Sequence, residues 1–548
     1  MNAMSKRLFL FASLLGLFAP AAFGLGCDGS GNCYVLASAT GTHSGANWTN
    51  AYTGFGTGGT QVNPASLTRG VTYWVGTGSY TAPNFSTSDS GTTRIFIEGV
   101  TAANHGPAGD WSSGFAGQAV FSNETSFTTD YWTVNGQAVS GCSYPSNNTA
   151  CYTLKFWNVN TSCPNDCGAI NLYDSSHFTA QYVEIEGTGS GFPNNNSTAD
   201  KCSSDNCGIW QDDAIYQQSS SSGTCSYLYV GHSYAHHTGN TQFQMNYGLN
   251  DWATFEYNWI SYNHTGQNGG HDEGFAAVFS DLTVRYNVFQ DIDYNGNLAD
   301  SDAGTVTITN WYFYGNISFW DAAYRALNLG SYGIGIQNWG IVDMLGDNYN
   351  GVLYVVHNTL DGYTNGILYD SQELSGPPHN SGQNGTITGN IVTYDEDNLL
   401  VGGSNTNPSC WGNGGYFWNS IPGMTYTWDY NAYYQGVASS CYSDTNTHGY
   451  IVSGAGANPF VNETASTIAG FALTTPDPFL SHPGVSISNV GSSTYYDGNV
   501  TTAVHNFNVD MNGNTFGANG TIDRGALQLP LSGPPVAAPA TQVFAKAQ

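Results

Sequence analysis

Carboxylates and imidazoles concentrate in a few short stretches of this chain. Asp212 and Asp213 are adjacent, His236 and His237 are adjacent, and His271, Asp272 and Glu273 run together between Gly270 and Gly274. Paired carboxyls suit glycoside hydrolysis, in which one protonates the leaving oxygen while the other activates water or attacks the sugar. The separations needed, about 5 to 5.5 Å for retention and about 6.5 to 9.5 Å for inversion, are spanned by carboxylates on adjacent or next-adjacent strands. Asp213 with Asp272 or Glu273 is the leading acid/base pair, and Asp212, His237 and Asp302 are further catalytic candidates. Trp210, Tyr216, Trp259 and Trp320 could stack on sugar faces, with His264, His271 and Arg325 binding beside them. Hydrolysis of this kind requires no cofactor. Asp291, Asp293 and Asp300 are oxygen ligands of the type that holds Ca²⁺, so a Ca²⁺-assisted polysaccharide lyase with His237, His264 or Arg325 beside the sugar stays open. So does a non-catalytic adhesin or matrix protein.

A repeat supplies the elements that must position these groups. Phe255-Glu-Tyr-Asn258-Trp-Ile260, Val284-Arg-Tyr-Asn287-Val-Phe289, Phe313-Tyr-Gly-Asn316-Ile-Ser318, Val355-Val-His-Asn358-Thr-Leu360, Ile387-Thr-Gly-Asn390-Ile-Val392 and Trp428-Asp-Tyr-Asn431-Ala-Tyr433 share one pattern: apolar, two variable residues, then Asn. The Asn positions are 29, 29, 42, 32 and 41 residues apart, as expected of a minimal coil carrying loops of variable length. Short alternating apolar runs with abundant Gly and Asn make the coil β. Asn suits a left-handed turn, and its side chain can bond to the next Asn up a ladder. Extending the register backwards places His232, Gln181 and Trp157 at the same position.

These segments resemble the right-handed parallel β-helix superfamily of pectate-lyase-like proteins, over roughly residues 150 to 450. Tyr34-Val-Leu-Ala and Gly45-Ala-Asn-Trp48 are similar to the entry segment of secreted β-helix proteins, and Asn458-Pro-Phe-Val-Asn462 and Asp523-Arg-Gly-Ala-Leu-Gln528 to their closing segments. The resemblance implies an all-β fold, a right-handed parallel β-helix solenoid, as one domain over 25–530. A Pro- and Ala-rich tail, 531–548, is expected to be disordered.

In a parallel coil equivalent positions stack about 4.8 Å apart. Glu184 and Glu186, His236 and His237, Asn263 and His264, Asp291 and Asp293, and Asp321 then form one row. Asp212 and Asp213, His271 to Glu273, and Asp300 with Asp302 form a second, which places a groove between about residues 184 and 321. Arg285 is expected to pair across coils with Glu256. Gln211-Asp212-Asp213 also resembles the paired-Asp motif of polygalacturonase-type hydrolases, with His232 or His237 standing near that family's histidine. Arg285-Tyr-Asn287 lacks the lysine with which that family reads a uronate, which implies a neutral or weakly charged glycan.

Composition agrees with this picture. Only 9% of the residues are charged, 10 Lys and Arg against 39 Asp and Glu, with 69 glycines. So few cations leave little to neutralise phosphates, which excludes a nucleic-acid partner and disfavours an anionic membrane surface. A polysaccharide is the expected partner and a monomer the expected state. Lys6-Arg7, the apolar run Leu8 to Ala22 and Ala22-Phe-Gly24 read as a signal peptide over 1–24, too short to be a membrane anchor. A secreted, extracellular or periplasmic location follows, where Cys27/Cys33, Cys142/Cys151, Cys163/Cys167, Cys202/Cys207 and Cys410/Cys441 read as disulfides and Cys225 is left over.

Overall fold

A computed structural model describes residues 27–159, 167–187, 212–217, 224–238, 241–245, 250–263, 274–277, 279–292, 307–321, 348–361, 391–396, 399–401, 424–434, 450–452, 459–462, 467–474, 494–501, 503–518 and 523–528. Nearly all the regular structure is β, gathered into three long parallel sheets. The first has twelve strands, from Asn32–Val35 to Met424–Asp429; the second has twelve, from Gly78–Thr81 to Tyr450–Val452; the third has six, from Asn84–Phe85 to Phe275–Ala277. The chain visits them in rotation. Ile95–Gly99 adds to the first sheet, Ala119–Ser122 to the second and Thr125–Phe127 to the third, and the next circuit adds one strand to each again. Returning each time one place further along the same sheet fits a parallel β-solenoid. Among the described residues, strands from Asp281–Arg285 to Ala432–Tyr434 alternate between the first and second sheets.

Inside the coil, period-two alternation sends one residue of each pair inward. Val134, Ala180, Val230, Phe255, Val284, Phe313 and Val355 stand in register along the first sheet, all buried. Each large member of such a row stabilises the fold by about 1.5–3 kcal/mol relative to exposure.

Two hydrogen-bonded devices fix the register. Asn258, Asn287, Asn316 and Asn358 form the expected ladder, fully buried or nearly so. Asn287 Oδ1 accepts from the backbone N–H and Nδ2 of Asn258, both at 3.0 Å, while Asn287 Nδ2 donates to Phe255 O at 2.9 Å and to Asn316 Oδ1 at 3.1 Å. The left-handed residue is not the Asn but the one before it: Tyr257, Tyr286, Gly315, His357 and Tyr430 all have φ between 53° and 66°. Their rings stack. His232 lies between Tyr182 at 4.8 Å and Tyr257 at 4.9 Å, and a second column of Tyr131, His177 and Tyr227 repeats the device at the start of the first-sheet strands.

Four register expectations are corrected. Gly231 pairs with Glu256, so His232 matches Tyr257, and Ser233 holds the ladder place with its N–H bonded to Asn258 Oδ1 at 3.0 Å. Gln181 pairs with Gly231 and therefore stands two residues before that place, while Leu154–Trp157 belongs to the second sheet, not the first. Ile391–Glu396 pairs with Gly351 to Val356, and Leu399 pairs with Thr359. Asn390 thus precedes the strand instead of following it.

The C-terminal residues do not simply end the coil. Arg94 donates to Tyr496 Oη at 2.7 Å, Tyr286 Oη to Val509 O at 2.8 Å, and Ala526 N to Thr359 Oγ1 at 2.9 Å. Phe460, Phe471, Phe507, Met511 and Leu527 join Trp259, Tyr286, Tyr314 and Phe319 in a second apolar layer outside the coil. Cys27–Cys33 and Cys142–Cys151 are disulfides as expected, and Cys225 is a buried free thiol whose pKa burial raises to about 12.

Asn287→Ala removes a side chain that satisfies four buried groups, each costing about 1–3 kcal/mol when orphaned. Its urea midpoint is expected to fall well below that of wild type, by more than that of Asn499→Ala on the exposed turn at Asp497, measured by far-UV circular dichroism.

Candidate functional site

The second sheet carries the titratable row. Its register is Lys155 opposite Glu184 and Trp157 opposite Glu186, then Glu186 opposite His236, His236 opposite Ser261, and Ser261 opposite Gln290. Val183, Ile185 and Ala235 of the same strands enter the core, so these polar residues occupy the outer face.

At its upper end the row is a charge network. Lys155 Nζ lies 2.7 Å from Glu184 Oε1 and also contacts Glu186. Gln118 Nε2 donates to Glu184 Oε2 at 2.7 Å, and His236 Nε2 meets Glu184 Oε1 at 3.3 Å. Burial opposes charge on Glu184, but the His236 hydrogen bond and the Lys155 charge outweigh it and hold its carboxyl below the usual range. Burial likewise works against the Lys155 ammonium, and the two glutamates more than compensate, raising its pKa.

A bend at the end of each strand shapes the next part. His237, Tyr262 and Asp291 follow the paired residues His236, Ser261 and Gln290, and all three are left-handed, with φ of 55°, 56° and 54°. Consecutive side chains of an extended strand point apart. The left-handed His237 instead turns its ring so that its Nδ1 meets His236 Nδ1. Glu186, His236 and His237 each offer a ligand atom within 4.8 Å of the other two. Gly187, directly after Glu186, is where the chain comes closest: a Cβ there would lie 2.6 Å from Asp212 Oδ2 and 2.5 Å from His237 O. Asp212 at the start of the third-sheet strand Asp212–Gln217 therefore adjoins this cluster.

At its lower end two carboxyls meet. Asp321 N donates to Asp291 Oδ1 at 2.7 Å, and Gln290 Nε2 reaches Asp291 Oδ2 at 3.0 Å and Asp321 Oδ2 at 3.3 Å. Burial, then the charge of Asp321, push the Asp291 carboxyl well above its ordinary range. Burial with these same two acids raises Tyr262 to about 12.

Of the sequence candidates, Asp212, Asp213, Tyr216, His237, Trp259, Asp291 and Trp320 are described. Asp212 and Asp213 are 1% and 0% exposed. Trp320 is buried and donates its indole N–H to Ile292 O at 3.0 Å; Trp259 is buried too, bonded to Gln290 Oε1 at 3.0 Å. Trp210, His264, His271, Asp272, Glu273, Asp293, Asp300, Asp302 and Arg325 lie outside the described residues. Arg285 sits opposite Glu256, with Nε 2.6 Å from Glu256 Oε2, and both are held under the C-terminal segment by Tyr495. Lys155 and Gln118 were not anticipated. Lys155 could have been found by placing Leu154–Trp157 beside Val183–Glu186, whose alternation it shares. No helix among the described residues is long and apolar enough to cross a membrane. No protein-family model matches the sequence, and no curated protein is significantly similar to it.

The raised Asp291 predicts a pH signature. A carboxyl whose folded pKa lies above its unfolded value stabilises the fold fully below the unfolded pKa of about 4, and that contribution is lost as pH rises toward the folded pKa. Asn tolerates the left-handed backbone there and keeps an acceptor for Asp321 N. Asp291→Asn is therefore expected to match wild type near pH 4 and to become progressively more stable than it toward neutral pH. Melting temperatures measured across that range check this, and a constant difference would contradict it.

Proposed function

We propose that this chain is a secreted right-handed parallel β-helix protein that cleaves a neutral or weakly charged polysaccharide by carboxylate acid/base hydrolysis. The observation that supports the reading most is a row of carboxyls on one face of the second sheet, Glu184 and Asp291 three coils apart, whose environments shift their protonation in opposite directions. Glu184 sits against Lys155 and His236 while Asp291 sits against Asp321. Groups so divided are suited to separate acid and base roles. Asp213 with Asp272 or Glu273 remains the leading pair, Asp213 on the strand whose first residue adjoins His237, the other two from sequence alone. Asp291, with Asp321 one coil on and its carboxyl pushed upward by burial, is a further candidate proton donor.

A neutral substrate fits the cations as they stand. Arg69, Arg94, Lys155 and Arg285 are engaged with Asp89, with backbone carbonyls and Tyr496, with the two glutamates, and with Glu256. Lys155 beside the row is already matched to two carboxylates, so among the described residues the row presents no uncompensated positive charge to a uronate.

The test is a panel of neutral, acetylated and uronic glycans, assayed for reducing ends and for absorbance at 235 nm. Reducing ends without 235 nm absorbance are expected from wild type, with rates at least about 100-fold lower in Asp213→Asn or Glu273→Gln and melting temperatures recorded to exclude misfolding. Both signals together would make the protein a lyase and point to Ca²⁺-assisted elimination. Tight glycan binding without product would make it an adhesin or matrix protein.

A further inference from the structure

We infer that Glu186, His236 and His237 form a binding site for a divalent transition-metal ion of the zinc class. The site is distinct from the oxygen-only Ca²⁺ ligands expected from Asp291, Asp293 and Asp300, and it does not depend on the hydrolase reading.

The donor set is two imidazole nitrogens and one carboxylate oxygen. Nitrogen-rich sets of this kind select Zn²⁺, Co²⁺, Ni²⁺ or Cu²⁺ over Ca²⁺, which takes six to eight oxygens. Zinc ligands stand about 2.0–2.2 Å from the metal, so three atoms already within 4.8 Å of one another close on an ion by small side-chain rotations.

The surroundings assign the ligand atoms. Glu184 Oε1, which also pairs with Lys155 Nζ, accepts from His236 Nε2, which places the His236 proton on Nε2 and leaves Nδ1 as a lone pair. A carboxylate on the far nitrogen is the arrangement that orients and strengthens a metal-bound histidine. That Nδ1 faces His237 Nδ1 in direct contact. One proton closes this contact, His237 Nδ1–H donating to the His236 lone pair, and a metal ion that displaced that proton would bind both nitrogens once the two rings part slightly. The left-handed bend at His237 and the stacking of His236 on Tyr234 at 4.0 Å hold both rings in place. Glu186 is in register with His236 one coil away, and its Oε2 contacts Lys155, leaving the second oxygen for the ion. Lys155 and Glu184 form a compensated pair behind the site, so a divalent ion adds to the charge of Glu186 without meeting an unmatched cation.

The experiment uses the purified chain stripped with chelator. Zinc is titrated by calorimetry with metal content measured after dialysis, and Co²⁺ is added for its visible absorption, with Ca²⁺ as the comparison. Wild type is expected to take up Zn²⁺ and Co²⁺ at this site, to show the absorption of nitrogen-ligated Co²⁺, and not to exchange them for Ca²⁺. His237→Asn preserves a left-handed-tolerant residue, and Glu186→Gln keeps the shape of the acid. Each is expected to weaken Zn²⁺ binding at least about tenfold and to quench the Co²⁺ band, and Glu184→Gln to weaken binding about 10- to 100-fold through His236. Melting temperatures of the stripped variants establish that they fold. Failure of wild type to bind Zn²⁺ or Co²⁺ would overturn the inference, and so would binding and a Co²⁺ band that survive in the folded His237→Asn and Glu186→Gln proteins. Either result leaves the glycan assay untouched, since that assay is read on different residues.

Discussion

Asn258, Asn287 and Asn316 each turn their side-chain amide along the coil axis, taking a hydrogen bond from one neighbour and giving one to the next. The bond is possible only because the preceding residue is left-handed, which turns the chain out of the first sheet and presents the Asn inward. Each coil then begins the second sheet at a height set by the last. Parallel pairing carries that registration to every later residue, because a slip of one would move the whole inward row to the outside. The His237, Tyr262 and Asp291 bends repeat the same logic at the far end of the second sheet. The site is built at this corner, so its geometry derives from the stacking rule and not from local loops.

The strong negative charge is also organised by this rule. Cations are scarce, and several of the described ones are held in fixed hydrogen-bonded positions. Arg285 lies on Glu256 with Tyr314 and Tyr495 around it, and Lys155 lies on Glu184 and Glu186. A buried carboxylate without a partner is costly, and removing one member of such a pair leaves the other uncompensated. The effect is local neutralisation at the coil face beneath an acidic exterior. The C-terminal segment completes it on the first sheet, where its tyrosines and the apolar Phe507 and Met511 cover the outer faces of coils far away in sequence.

Much of this was legible in the chain. The apolar-x-x-Asn pattern located four ladder positions, the cross-coil pairing of Arg285 with Glu256 followed from the same count, and close spacing identified the disulfides Cys27–Cys33 and Cys142–Cys151. Failures came where one residue had to carry the signal. Asn390 is followed by Ile-Val as a ladder Asn would be, yet it precedes its strand, because an Asn before two apolar residues is too short a signal to tell the two places apart. Ser233 and Val183 occupy ladder places without being Asn, since a hydroxyl or a tightly packed methyl pair can stand there when the neighbouring coil closes the bond. Misplacing Leu154–Trp157 hid Lys155. The adjacency of His236 and His237 was visible, but their convergence was not, because it depends on a left-handed residue that is not glycine.

The chemical character of each acid is decided by its neighbour on the next coil rather than by its neighbours in sequence. Glu184 and Asp291 lie on the same face of the same sheet, and burial disfavours charge on both. Glu184 stacks against Lys155 and reaches His236, so it stays ionised. Asp291 stacks toward Asp321 and shares its Gln290 amide, so burial and that like charge together favour its protonated form. Both outcomes follow from one Coulomb argument with the sign of the partner reversed. A solenoid of constant register can therefore change the function of a row by replacing one residue a full coil away, with no change in the backbone that holds it. That property makes the outer face of the second sheet a suitable place for acid/base or metal chemistry.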